Sequence, residues 1–380
     1  MVGKSPYTNS KSVRNNYMNK NKKALPSHFK NAASKDWQDW RWQFKNRITS
    51  IAQLEQIIGK VPTQELGAAA SVYPLAITPY YLSLVKFDTE NDPIRTQCVP
   101  DIRELSSSKG ALEDPLEEDA HMPVAKLVHR YTDRCLAIVT ETCATYCRHC
   151  NRKRFWSTSP NVSFKTRLEK MLRYISASPQ IREVIISGGD PLTFDDSTLE
   201  SLLSSLKAIP HVEVLRIGSR VPVVMPMRIT RDLCRMLKHY RPLWFNTQFN
   251  HRDEITPESA RACEMLLAAG IPVSNQSVLL KGVNDTTDVM RDLLYGLQNI
   301  SVRPYYLFHC DPVKGCEHFR TNIEAGMKMM DEIWRQCSGL SLPQYVLDVP
   351  GNTAKIPLNV MSGAIKNDLK KHQYFFDKFR

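Results

Sequence analysis

From residue 135 onward, short β-branched runs alternate with stretches of helical periodicity, and no other feature restricts the fold of this chain so tightly. The runs are Cys135–Thr140, Glu183–Ser187, Val212–Ile217, Leu243–Asn246, Val273–Val278 and Pro304–Phe308. Between them lie helical patterns over 163–177, 196–208, 230–240, 256–269 and 286–298. Asp196 reads as an N-cap, and Thr256-Pro257 as a cap followed by a first-turn proline. Most starts are about thirty residues apart, the length of a right-handed βαβ unit, so the strands are expected to lie parallel. Six units fall short of the eight that close a barrel. The expected fold class is therefore α/β, a partial (β/α)6 open barrel.

In parallel α/β architectures, function gathers where strands end. The sequence is polar or glycine-rich at those points. The first run leads into Cys143-Ala-Thr-Tyr-Cys147-Arg-His-Cys150. The next ends in Ser187-Gly188-Gly189-Asp190-Pro191, and the third in Gly218-Ser219-Arg220. The fourth ends in Asn246-Thr247-Gln248-Phe249-Asn250-His251. Asn275-Gln276-Ser277 lies within the fifth, and His309-Cys310-Asp311 ends the sixth.

The spacing C-x3-C-x2-C suits three corners of a [4Fe–4S] cube, leaving one iron open to a substrate. Buried thiols, or a zinc site completed by a distant residue such as Cys135, are the competing readings. The loop resembles that of radical S-adenosylmethionine enzymes, in which the methionine group chelates the open iron. Gly188-Gly189-Asp190 is by itself a turn signal. One βα unit after the cysteines, it resembles the strand end that holds the methionine amino group in those enzymes, with Asp190 where Glu is commoner.

Other candidates are weaker alone. Arg152, in the basic run after the cysteines, could bind a carboxylate, or the run could be a surface patch. Lys355, between Pro350-Gly351 and Pro357, could be simply solvated or could form a Schiff base with pyridoxal phosphate; spacing does not decide. Asp311 and Asp348 could cap loops, or could offer two negative charges to a cationic substrate.

Composition excludes some classes. The chain has 380 residues, 42% apolar and 24% charged, and no apolar run approaches the ~20 residues of a membrane span. It opens without a secretion signal, and the seven scattered cysteines outside the Cys143–Cys150 loop do not make a disulfide scaffold. A reducing cytoplasm fits best. Of the net charge of +12, eight positive charges and no acids fall in residues 1–35, which read as a solvated tail; nucleic-acid binding is the alternative. Trp37, Trp40 and Phe44 fall on one helical face, expected to pack.

The chain is similar to the lysine 2,3-aminomutase family from about Asp36 to Pro357. The resemblance rests on Asp36–Gln43, Ala76–Tyr81, Tyr146–Cys150, Arg216–Arg220, Asn275–Leu280, His318–Thr321 and Lys355. It implies that Cys143, Cys147 and Cys150 ligate a [4Fe–4S] cluster. Ser187, Gly188, Gly189, Asp190, Gln248 and Gln276 would meet the cofactors, S-adenosyl-L-methionine and pyridoxal 5′-phosphate. Lys355 would form the aldimine, Arg152 would pair with the substrate α-carboxylate, and Asp311 and Asp348 with its distal ammonium. The implied reaction is a radical C2-to-C3 amino shift, lysine to β-lysine. Arginine is the competing substrate, and β-lysine for protein modification an alternative purpose.

The same resemblance implies a small-molecule amino acid partner, an electron donor such as flavodoxin or ferredoxin, and a homo-oligomer. The expected organisation is a basic tail over 1–35, a helical region over 36–128, the barrel core over 129–315 and a C-terminal segment over 316–380. Four departures stand out. Asn352 lies in a loop that is usually poly-glycine, Gln248 replaces a usual His, and Phe308 a usual Tyr. The family's C-terminal zinc-binding cysteines have no counterpart, with Thr286 at their partner position, so no zinc is expected.

Overall fold

The computed structural model describes residues 33–358 apart from 60, 90, 107–109, 157–162 and 351–353. The expected tail thus lies almost wholly outside the described residues, as do Asn352 and the chain beyond 358.

One sheet of nine strands carries the fold, in chain order from edge to edge. The strands are β1 (Leu127–Tyr131), β2 (Arg134–Thr140), β3 (Glu183–Gly188), β4 (Val214–Gly218) and β5 (Leu243–Thr247), followed by β6 (Val273–Leu279), β7 (Arg303–His309), β8 (Gln344–Leu347) and β9 (Ile356–Pro357). β2 to β8 run parallel, while β1 and β9 pair antiparallel at the two ends. The crossovers carry α1 (Phe164–Ser176), α2 (Asp196–Lys207), α3 (Arg231–Lys238), α4 (Pro257–Ala268), α5 (Thr287–Asn299) and α6 (Ile323–Gln336). Six β/α units, β2α1 to β7α6, make the expected partial barrel. The sheet remains open, because β1 and β9 each pair on one side only.

Five of the six crossover helices begin where a side chain satisfies one of their first N–H groups, α5 being the exception. Ser163, Thr230, Thr256 and Asn322 each accept such a bond. The cap of α2 is Asp195, which accepts from Thr198 N, so Asp196 is already inside the helix. β4 starts at Val214, with Val212 buried in the preceding turn. β8 grows from the apolar run Tyr345–Leu347, which was too short to be recognised as a strand without its neighbour β7.

The helix expected around Trp37, Trp40 and Phe44 is broken. Asp39 is extended and caps a second helix, Trp40–Lys45, through Arg41 N. Trp40 is buried, with the Arg228 guanidinium 4.6 Å from its ring centre. The remaining N-terminal helices are Ile51–Ile58, Thr63–Val72, Pro79–Leu82 and Pro93–Cys98. They share one buried apolar cluster with the barrel, running from Trp40 to Leu358. No helix among the described residues is long and apolar enough to cross a membrane.

Candidate active site

The parallel strands deliver their C-terminal ends to a cavity of about 400 Å³. Every residue singled out from the sequence lines it: Cys143, Cys147 and Cys150; Ser187, Gly188, Gly189 and Asp190; Gln248 and Gln276; Arg152, Asp311, Asp348 and Lys355.

The three cysteines are free thiols on the loop after β2. Burial pushes the Cys143 thiol well above its ordinary value and that of Cys150 up to about 11. Such thiols need a metal or a cation to ionise. Arg220 Nη1 lies 2.7 Å from Cys147 Sγ, and the Arg152 backbone N–H donates to Cys150 Sγ at 3.4 Å. Three thiols within eight residues of one loop suit a cluster, which puts each thiolate on a different iron.

β3 ends against the entry to this loop. Gly189 N donates to Thr140 O at 2.6 Å, and Asp190 N to Thr142 O at 2.8 Å. A Cβ on Gly188 would lie 2.4 Å from Thr140 O, and one on Gly189 2.2 Å from Thr142 O. Glycine is therefore required by close backbone approach. The Asp190 carboxylate accepts from Ser219 Oγ (2.7 Å), Arg220 N (2.8 Å) and Leu192 N (3.0 Å). It braces the ends of β3 and β4 against each other. Gln248 and Asn250 both lie against His149 Nε2, at 3.0 and 3.2 Å, and burial keeps that imidazole neutral.

At the far end of the cavity, Lys355 Nζ donates to Tyr131 Oη at 2.9 Å and lies 3.0 Å from Asp348 Oδ2. Burial pulls this ammonium down, and Asp348 outweighs it, so its pKa stands above the ordinary value. Arg130 Nη2 pairs with Asp348 Oδ1 at 2.8 Å. Asp311 accepts from Asn151 Nδ2 at 3.1 Å. Burial, with the Asp348 charge beside it, pushes the Asp311 carboxyl up to about 7. Phe308 puts its ring centre 5.8 Å from Lys355 Nζ.

The Radical SAM superfamily model matches residues 137–294. Among curated proteins, an L-lysine 2,3-aminomutase from Clostridium subterminale is 48% identical over 332 residues, 87% of this chain and 80% of that protein. One from Bacillus subtilis is 43% identical, covering 87% of this chain and 70% of that protein. A glutamate 2,3-aminomutase from Clostridioides difficile is 40% identical, covering 90% and 81%.

The chain belongs to the lysine 2,3-aminomutase family. It is a radical S-adenosylmethionine isomerase, and the cofactors of this family are a [4Fe–4S] cluster, S-adenosylmethionine and pyridoxal 5′-phosphate. The cavity also holds groups that the sequence reading missed. Arg130, Tyr131, Arg134 and Arg216 line the wall with Lys355, and guanidinium groups suit a cofactor phosphate. Arg216 stood in a stretch used for the resemblance, but no spacing marked it as inward-facing before the strand register was known.

Arg152 is more engaged than an isolated carboxylate receptor. Its Nε lies 3.0 Å from both Glu118 oxygens, and its Nη2 lies 2.5 Å from Oε1. Burial pushes the Glu118 carboxyl up, and Arg152 with Arg154 overcomes it, holding it below the ordinary range. The chain's own carboxylate thus occupies one edge of the fork that was expected to receive substrate.

Proposed function

We propose that this aminomutase moves the α-amino group of free L-lysine from C2 to C3, giving β-lysine. One observation carries the reading: Lys355, the two carboxylates Asp311 and Asp348, and the three-cysteine loop open on the same cavity. When bound, the cluster with S-adenosylmethionine supplies hydrogen-atom abstraction, and pyridoxal phosphate supplies the group that carries the migrating nitrogen.

The residues divide the remaining work. Cys143, Cys147 and Cys150 hold the cluster. The β3 end, Ser187 to Asp190, with Gln248 and Gln276, lines the S-adenosylmethionine region. Arg130, Tyr131, Arg134 and Arg216 surround the pyridoxal phosphate region. Lys355 must shed a proton before its nitrogen can attack a carbonyl. Asp348 at 3.0 Å is the base within reach, and the Tyr131 hydroxyl at 2.9 Å accepts a hydrogen bond from the ammonium.

Arg152 takes the substrate α-carboxylate on the guanidinium edge that Glu118 leaves free. Asp311 and Asp348 take the distal ammonium. A neutral side chain would leave Asp311 without a cationic partner, and an acidic one would bring a like charge beside it, which disfavours glutamate. Cluster reduction calls for a one-electron donor such as a flavodoxin or ferredoxin, and a reducing cytoplasm and a homo-oligomer belong to the same reading.

The test is anaerobic. The reconstituted chain receives pyridoxal phosphate, S-adenosylmethionine and dithionite, with lysine, arginine, ornithine or glutamate offered separately. β-Lysine supports the reading. β-Arginine keeps the mechanism and changes the substrate, since a guanidinium also pairs with two carboxylates. Deoxyadenosine without any isomer sinks the free-amino-acid reading.

A further inference from the structure

We propose that Arg220 is a positioning residue that raises the reduction potential of the cluster by donating a charge-assisted hydrogen bond to the Cys147 sulfur. The inference rests on the three cysteines holding a [4Fe–4S] cluster, and it goes beyond that reading by assigning a residue that ligates nothing.

Arg220 follows β4 and is only 7% exposed. Its Nη1 lies 2.7 Å from Cys147 Sγ. The rest of the guanidinium is tied elsewhere. Nη2 donates to Glu254 Oε1 and Gln97 Oε1, both at 2.6 Å, and to Tyr81 Oη at 3.1 Å. Nε donates to Gln248 O at 3.1 Å. The backbone N–H is held by Asp190 at 2.8 Å. Glu254 is fully buried and is itself fixed by the Tyr81 hydroxyl at 2.6 Å and His251 N at 2.9 Å.

These contacts come from two N-terminal helices and the loop after β5, so the guanidinium cannot swing to another ligand without breaking a buried pair. Glu254 balances its charge at longer range. What reaches the sulfur is a directed N–H dipole in a site shielded from water. Hydrogen bonds to cluster sulfurs are among the factors that set the potential. The reduced cluster carries one more negative charge, so this bond strengthens on reduction and favours the reduced form. Cys150 receives a backbone N–H, from Arg152 at 3.4 Å.

The test uses the reconstituted full chain and its Arg220→Gln and Arg220→Lys variants, with iron and sulfide content measured first. Redox titration followed by electron paramagnetic resonance reads the midpoint. At a fixed poise, Arg220→Gln should lower the reduced-to-oxidised ratio about tenfold, a shift of about 59 mV for one electron, and Arg220→Lys should shift it less. In the wild type, arginine carrying heavy nitrogen in its guanidinium should show a nitrogen coupling to the reduced cluster. That arm decides even if the Gln variant assembles no cluster.

An unmoved midpoint in a fully loaded Arg220→Gln chain, or no coupling in the labelled wild type, overturns the proposal. Weakened S-adenosylmethionine binding with an unmoved midpoint also overturns it and assigns Arg220 to the cosubstrate. A wild-type chain that assembles no four-iron cluster fails the functional reading instead.

Discussion

Asp311 sets a pH dependence that a free aspartate would not. Burial and the neighbouring Asp348 raise its carboxyl to about 7, so below that pH it is neutral and cannot pair with an ammonium. Deprotonation as pH rises through 7 restores the charge. The KM for lysine should therefore fall from pH 6 to pH 8, and Asp311→Asn should raise KM and flatten the profile; steady-state kinetics across that range checks both. Asp348 carries more contacts, pairing with Lys355 and Arg130. Asp348→Asn leaves the buried Arg130 and the partly buried Lys355 undercompensated, an expected loss of about 2–5 kcal/mol, and kcat/KM should fall at least tenfold. Pyridoxal phosphate absorbance should show whether Lys355 still reacts.

At the scale of elements, the site depends on how closely strand ends approach one another. β7 and β8 are neighbours in register, with Phe308 opposite Val346, and this brings Asp311 and Asp348 together just beyond their strands. The end of β3 lies against the cluster loop with no room for a side chain. Gly189→Ala places a Cβ 2.2 Å from Thr142 O, and backbone cannot yield as a flexible side chain can. The variant should fold but bind substoichiometric iron, measured as iron per chain after reconstitution. Full loading with normal turnover would refute this account of the glycine.

On the scale of the molecule, the N-terminal helices clamp the cluster loop. Tyr146 N donates to Ala76 O at 2.8 Å, and Arg148 N to Gln97 O at 2.9 Å. Glu104, fully buried, takes Arg148 through Nε (2.9 Å) and Nη2 (2.7 Å), and Lys153 Nζ at 2.9 Å. This triad ties the N-terminal region to the cysteine loop and to the segment that follows it. Removing one partner of a buried ion pair costs about 3–5 kcal/mol. Glu104→Gln should lower unfolding stability by that order in anaerobic denaturant titration and slow cluster assembly. A change below about 1 kcal/mol would mean that the clamp lies elsewhere.

The cysteine loop, the order of strands and helices and the polar strand ends were legible because their signals are local: spacing within eight residues, β-branched runs and caps. Lys355, Asp311, Asp348 and Arg152 needed the family resemblance, since spacing left each with an ordinary alternative. The antiparallel edge strands β1 and β9 and the break at Asp39 were not legible, because they depend on neighbours distant in sequence. The same holds for Arg130 and Tyr131, brought to Lys355 from an edge strand, and for Glu118, which occupies the Arg152 fork. Local pattern determined which elements form and in what order. Only tertiary packing decided which buried charges face one another, because a buried ion finds its partner through space and not along the chain.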